Sequence, residues 1–154
     1  MTGPPSDPIE AAAWLRDKYD WLDDLITTVT DPILGTESPA QWLSELAIGF
    51  RDIQDQKHAW DQYESVHPEP YGQGDEAWGR WNQAGPGHRT KIGHAIVHLP
   101  LRDRLVLQLV VSLAIEECAT VWRVSSMRRL TDREVPLLED WITIVRSQVH
   151  HSGG

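Results

Sequence analysis

Among the residues that could take part in chemistry, two histidines, His94 and His98, have the most informative spacing. They are four positions apart, so on a helix both imidazoles would lie on one face, as a bound metal ion requires. His88 is close enough in the sequence to supply a third ligand. One hypothesis is therefore a His-ligated metal-binding enzyme on a helical bundle. The simpler interpretation is a pair of surface histidines that bind no metal.

Other catalytic signatures are missing from the sequence. It contains no GxSxG motif and no phosphate-binding loop, and its one cysteine has no evident histidine partner. Glu116 and Glu117 are adjacent, so on a helix their side chains would point about 100° apart, which is poor geometry for a general acid–base pair. The sequence does not require an enzyme, and we expect a non-catalytic protein with no cofactor.

A second hypothesis comes from the stretch between Leu99 and Ser125, which resembles region 4 of sigma factors. The residues that carry the resemblance are Leu99-Pro100, Arg102, Arg104, Val106-Leu107, Leu109, Leu113, Glu116-Glu117, Ala119 and Val124-Ser125. The resemblance implies a helix-turn-helix that binds DNA, with a helix break near Ser112–Leu113. In that case four arginines would face the DNA: Arg123, Arg128, Arg129 and Arg133. A net charge of −9 opposes tight DNA binding.

The leading hypothesis rests on aromatic residues in a Gly- and Pro-rich stretch. Eight of the twelve aromatic residues in the chain are tryptophans. Tyr71, Trp78, Arg80 and Trp81 fall between His67 and Gly87, where the hydrophobic pattern stops. These rings either pack back on the fold, which we favour, or are kept for a partner. Aromatic and arginine side chains are typical anchors of protein interfaces. We therefore expect a regulator, inhibitor or assembly adaptor that binds another protein.

The charge is distributed unevenly along the 154 residues. Residues 1–77 hold 16 Asp/Glu and 4 Lys/Arg, whereas residues 78–154 hold 7 and 10. We expect the two halves to pack with complementary surfaces, although an acidic face for a basic partner is the alternative. Arginine outnumbers lysine by 11 to 3, which hints at a bacterial or phage source.

The expected compartment is the cytoplasm. Cys118 is the only cysteine, so no disulfide can form within the chain, as is usual in reducing compartments. The first residues lack the basic and apolar regions of a signal peptide. The longest near-apolar run spans 105–115, shorter than the ~20 residues that cross a bilayer. We expect no membrane partner, and a homo-oligomer is compatible with the sequence.

Hydrophobic periodicity predicts an all-α, single-domain bundle of four main helices over residues 1–149, with a flexible tail at 150–154. The first helix should run from Pro8 to about Thr30 and the second from Pro39 to about Glu64, each opened by a capping residue and a proline. A central apolar helix is expected at about 100–124, and a last helix should begin near Thr131. A long Trp-, Gly- and Pro-containing loop is expected at about 66–92.

Overall fold

The protein is all-α, as the sequence predicts. A computed structural model describes residues 3–30, 37–87, 90–115 and 128–152, with side chains as far as residue 148. These residues form seven helices and no strand. We number the helices in chain order: α1 Pro8–Lys18, α2 Asp20–Thr30, α3 Pro39–Val66, α4 Asp75–Ala84, α5 Lys91–Val97, α6 Leu101–Ala114 and α7 Val135–Ser152.

The predicted helix starts at Asp7 and Ser38 are confirmed. The Asp7 side chain accepts a hydrogen bond from the backbone N–H of Glu10, and Ser38 accepts one from Gln41. Each cap is followed by a proline in the first turn of the helix. The side-chain cap satisfies a backbone donor that has no partner within the helix, and proline lacks this donor altogether. Together they fix where α1 and α3 begin.

The single helix predicted between Pro8 and Thr30 is wrong, because Tyr19 divides it into α1 and α2. The Tyr19 backbone is extended (φ −116°, ψ 105°). Its hydroxyl donates a 2.5 Å hydrogen bond to Asp140 of α7, which also lies 2.8 Å from the Lys18 ammonium group. Burial and this hydrogen bond raise the pKa of Tyr19 above its usual range. The break lets α1 and α2 pack against each other, and the contacts with Asp140 of α7 stabilise the bend between them.

The central apolar helix is present but shorter than predicted. Helix α6 ends at Ala114, because Ile115 has an extended backbone (φ −126°, ψ 94°). The rest of the predicted helix, from Glu116 to Val124, lies outside the described residues. Within α6, Val106, Leu107, Val110 and Val111 are almost completely buried, and the helix contacts α1, α3 and α7. Its central position in the fold is therefore as predicted.

The hydrophobic core is formed by aliphatic side chains from six of the helices. We call α1, α2, residues 39–55 of α3, α5, α6 and α7 the helical body. Fully buried side chains outside α6 include Leu15, Leu22, Ile26, Leu43, Leu46, Ile96, Leu137 and Ile144. Helix α5 packs closely on α3, where Gly49 leaves room for Ile92 and Ile96.

Helix α7 closes the body and differs from the prediction at both ends. It begins at Val135, after a turn in which the Thr131 hydroxyl donates a 2.6 Å hydrogen bond to Glu134. It continues to Ser152, so residues 150–152 are helical where a tail was expected. The indole N–H of Trp141 donates to the carbonyl oxygen of Leu109, which ties α7 to α6.

Two further segments are helical where the sequence indicated a loop or left the structure open. Helix α4 occupies ten residues of the predicted 66–92 loop, and α5 begins at Lys91 with Thr90 as its cap. None of the helices in the described residues is long and apolar enough to cross a membrane.

Candidate functional site

The second half of α3 extends beyond the core. This helix has 28 residues and is therefore about 42 Å long. Its last buried residue is Asp52, and no side chain between Ile53 and Val66 is buried. The chain then returns along this exposed half through α4. We call residues 56–86 the aromatic lobe.

Six rings pack together in the aromatic lobe. Their neighbouring centroids are 4.7–5.8 Å apart, in tilted or edge-to-face arrangements that are favourable for aromatic pairs. Three rings come from α3 and the turn after it, and three from the return segment: Trp60, Tyr63, His67, Tyr71, Trp78 and Trp81. The lobe thus has aromatic contacts in place of an aliphatic core.

Hydrogen bonds to the main chain fix two of these rings, Tyr63 and Trp81, in position. The Tyr63 hydroxyl donates to the carbonyl oxygen of Trp81 (2.8 Å), and the Trp81 indole N–H donates to that of His67 (2.9 Å). Gly85 contacts the Trp60 ring so closely that a Cβ atom there would overlap it. The return segment is therefore bound to α3 and to the residue after it through Trp81 and Gly85.

Most of the lobe nevertheless faces solvent. Helix α4 has no buried residue, and the only buried residue between Ile53 and Gly87 is Pro70. Trp78 and Trp81 are half-buried and Arg80 is exposed. Tyr71 is 75% exposed although its ring contacts Trp78. The rings of Tyr71, Trp78 and Trp81 thus contact one another in turn, and Arg80 lies on the same helix, α4, as the two tryptophans.

The surroundings of the rings are acidic. Residues 56–86 contain five Asp/Glu and two Lys/Arg. A hydrogen bond to Glu69, together with its negative charge, raises the pKa of Tyr71 above its usual value. A cationic group that approached the lobe would meet aromatic faces next to carboxylates.

Sequence reasoning missed three members of the cluster, Trp60, Tyr63 and His67. A signal was available, because these residues are three and four positions apart and so share one face of a helix.

Of the arginines expected to face DNA, three belong to the described residues, and Arg133 differs from Arg128 and Arg129 in its surroundings. Arg133 is bound within the fold: its guanidinium group lies 2.6 Å from Asp103 and 3.2 Å from Glu134, and 4.4 Å from the centroid of the Trp21 ring. These contacts hold Arg133 against the fold, and its contact with DNA stays a prediction. Arg128 and Arg129 are exposed in a turn, and Arg123 lies outside the described residues. The end of α6 at Ala114 is close to the break that this hypothesis expects, but the residues that follow are not described.

The histidine pair lies on the surface, at the end of α5. The rings of His94 and His98 are 4.3 Å apart, and Nδ1 of His98 lies 2.8 Å from the carbonyl oxygen of His94. His88 lies outside the described residues. No group of three or more His, Cys, Asp or Glu side chains within the described ranges is arranged to hold a metal ion.

The site was also compared with known proteins. Searches against protein-family models, curated proteins and solved structures find no match to this chain. The site must therefore be interpreted from its own geometry.

Proposed function

We propose that this protein is a non-catalytic binding protein that recognises another protein through its aromatic lobe, as a regulator, inhibitor or assembly adaptor. The observation that carries the proposal is the arrangement of the rings. Tyr63 and Trp81 are held by main-chain hydrogen bonds, and the other rings contact them directly or through Trp78, in a part of the chain that has almost no buried residues.

The physical argument concerns the free energy of binding. Tryptophan and tyrosine supply large contact areas, and they dominate the binding free energy of many interfaces. Rings that are already ordered lose little conformational entropy when a partner docks. The fixed positions of Trp81 and Tyr63 therefore favour a binding surface over a collection of incidental surface aromatics.

The charge of the lobe indicates what kind of partner it would accept. Lysine and arginine side chains bind to aromatic faces, and nearby carboxylates strengthen that attraction. We infer that the partner presents a basic segment to the lobe. Exposed Tyr71 and half-buried Trp78 are the rings best placed to receive it.

We further infer a cytoplasmic setting and a bacterial or phage source. The single cysteine supports the first inference, and the excess of arginine over lysine supports the second.

The proposal can be tested by selecting displayed random peptides on the full chain. Three forms are compared: the wild type, Tyr71→Ala combined with Trp78→Ala, and Ile142→Ala. Ile142 is the matched control, because it is an exposed apolar residue on α7, outside the lobe. We expect peptides rich in Lys and Arg that bind the wild type and the control equally, and that bind the double variant at least about tenfold more weakly. The proposal would be contradicted by peptides that bind the double variant as tightly as the wild type, or by a selection that yields no binder.

A further inference from the structure

A second concave surface lies on the helical body, between α3 and α6. It is a groove of about 250 Å³. Its apolar wall consists of Phe50, Ile53, Leu101 and Leu105, and two arginines also line it, Arg51 and Arg104. The groove shares no residue with the aromatic lobe.

Arg104 is the unusual member of this lining. Its side chain is half-buried, and its Nε atom is inaccessible to solvent but has no hydrogen-bond partner. Buried N–H groups are nearly always paired, and an unpaired one costs free energy, more so on a charged group. The other arginines of α6 and the turn before α7 differ, since Arg102 lies 3.9 Å from Glu134 and Arg133 lies 2.6 Å from Asp103. Among the described residues, no acidic side chain forms an ion pair with Arg104.

We propose that this groove binds a small amphiphilic carboxylate, with its anionic end on Arg104 and its hydrocarbon part against Phe50, Ile53, Leu101 and Leu105. A guanidinium group offers two parallel N–H donors, which match the two oxygens of a carboxylate. Such a ligand would bring an acceptor to the part of the Arg104 side chain that lines the groove, because the Nε atom itself is not accessible from solvent.

The charge and size of the groove restrict the ligand further. The chain carries a net charge of −9, so an anion is repelled by the protein as a whole and needs local positive charge to bind. The groove is smaller than the roughly 300–1,000 Å³ of ordinary ligand pockets, which favours a short chain over a long lipid. Because the apolar wall is continuous with the two arginines, a ligand that combines both properties fits better than a simple inorganic anion.

Isothermal titration calorimetry of the full chain with octanoate tests this proposal. Octan-1-ol and octylamine serve as ligand controls, since they keep the alkyl chain but replace the carboxylate by a neutral or a cationic group. We expect saturable binding of one octanoate per chain, and binding at least about tenfold weaker for both controls. Equal binding of octanol or octylamine, or no saturable heat with octanoate up to about 10 mM, would overturn the proposal.

Protein variants supply a second arm of the same experiment. Arg104→Gln should weaken octanoate binding at least about tenfold, and Arg104→Lys should weaken it less, because lysine keeps the charge but loses the planar pair of donors. Arg128→Gln is the matched control, since Arg128 is exposed in a turn that does not line the groove, and it should bind as the wild type does. An Arg104→Gln variant that binds octanoate as well as the wild type would refute the assignment. If that variant does not fold, the ligand series on the wild type decides.

Discussion

Helix α3 belongs to two regions that are stabilised in different ways. Its first half lies in the helical body, where Leu43 and Leu46 are completely buried among aliphatic side chains. Its second half belongs to the aromatic lobe, where the helix has no buried residue and packs through Trp60 and Tyr63 instead. One continuous helix thus joins a region with a well-packed core to a region that is mostly surface.

This difference between the helical body and the aromatic lobe indicates that the two regions contribute unequally to the stability of the protein. Buried aliphatic area is the main source of folding free energy, so the helical body should determine the global stability of the protein. A region with few buried side chains contributes less and can open locally while the rest stays folded. Substitutions in the two regions should therefore have different effects, and the following predictions use that difference.

The largest effect is expected from Leu107→Ala in the helical body. Leu107 is completely buried in α6, and removal of a buried leucine side chain leaves a cavity that typically costs about 2–5 kcal/mol. The free energy of unfolding, measured by urea denaturation, should fall by that amount. Trp78→Ala in the lobe removes a larger side chain but should cost less, because Trp78 is only half-buried. A greater loss for Trp78→Ala would show that the lobe is part of the global core.

The next effect concerns Glu134, which is almost completely buried between α6 and α7. Burial alone would raise the pKa of this carboxyl group, but the hydrogen bond from Thr131 and the charges of Arg133 and Arg102 lower it below its usual 4.5. Because the folded-state pKa is the lower one, the ionised group stabilises the fold above pH 4.5, and this contribution is lost as the pH falls through the folded-state pKa.

Glu134→Gln should therefore reduce the free energy of unfolding at pH 7 by about 1.5–3 kcal/mol. The difference in free energy of unfolding between the wild type and the variant should become smaller as the pH drops below 4.5. Urea denaturation of both proteins at a series of pH values measures this difference. A gap that stays constant down to strongly acidic pH would contradict the role given to the carboxylate.

A smaller loss is expected from Gly93→Ala, where α5 packs on α3. A Cβ atom at this position would overlap the carboxylate of Asp52, which accepts hydrogen bonds from the backbone N–H and the hydroxyl of Thr90. Overpacking of this kind costs about 1–3 kcal/mol. Thermal unfolding should show a lower midpoint for the variant, and an unchanged midpoint would mean that α5 can shift at no cost.

The smallest effect is expected from Gly79→Ala in α4, and it has the opposite sign. A Cβ atom at Gly79 meets nothing within 4 Å, and alanine favours the helix by about 0.5–1 kcal/mol over glycine. The change should slow hydrogen exchange at the amides of α4, because alanine stabilises the folded helix, and should raise the global free energy of unfolding by no more than the same amount. Unchanged or faster exchange at α4 would contradict this expectation.

The sequence predicted those features that depend on nearby residues. The caps at Asp7 and Ser38, the extent of α3 and the buried face of α6 all follow from local spacing and capping chemistry. The break at Tyr19 could not be predicted in this way, because it accompanies a hydrogen bond to Asp140, 121 residues further along the chain. The internal pairing of Arg133 with Asp103 is equally non-local, because the two residues are 30 positions apart.

The candidate site was predicted only in part, for a similar reason. The grouping of Tyr71, Trp78 and Trp81 near one another follows from their position in a single segment. Their packing on Trp60 and Tyr63 depends on how the chain returns along α3, which no local pattern specifies. The groove at Arg104 depends on the approach of two helices that are far apart in the sequence.

The division between body and lobe is tested most directly by native-state hydrogen exchange, followed amide by amide. We predict that the amides of α6 exchange only through global unfolding, whereas those of α4 exchange through a local opening of clearly lower free energy. Low concentrations of urea should leave the opening of α4 almost unchanged, because it exposes little surface. Exchange of α4 and α6 at the same free energy, with the same dependence on urea, would contradict the account.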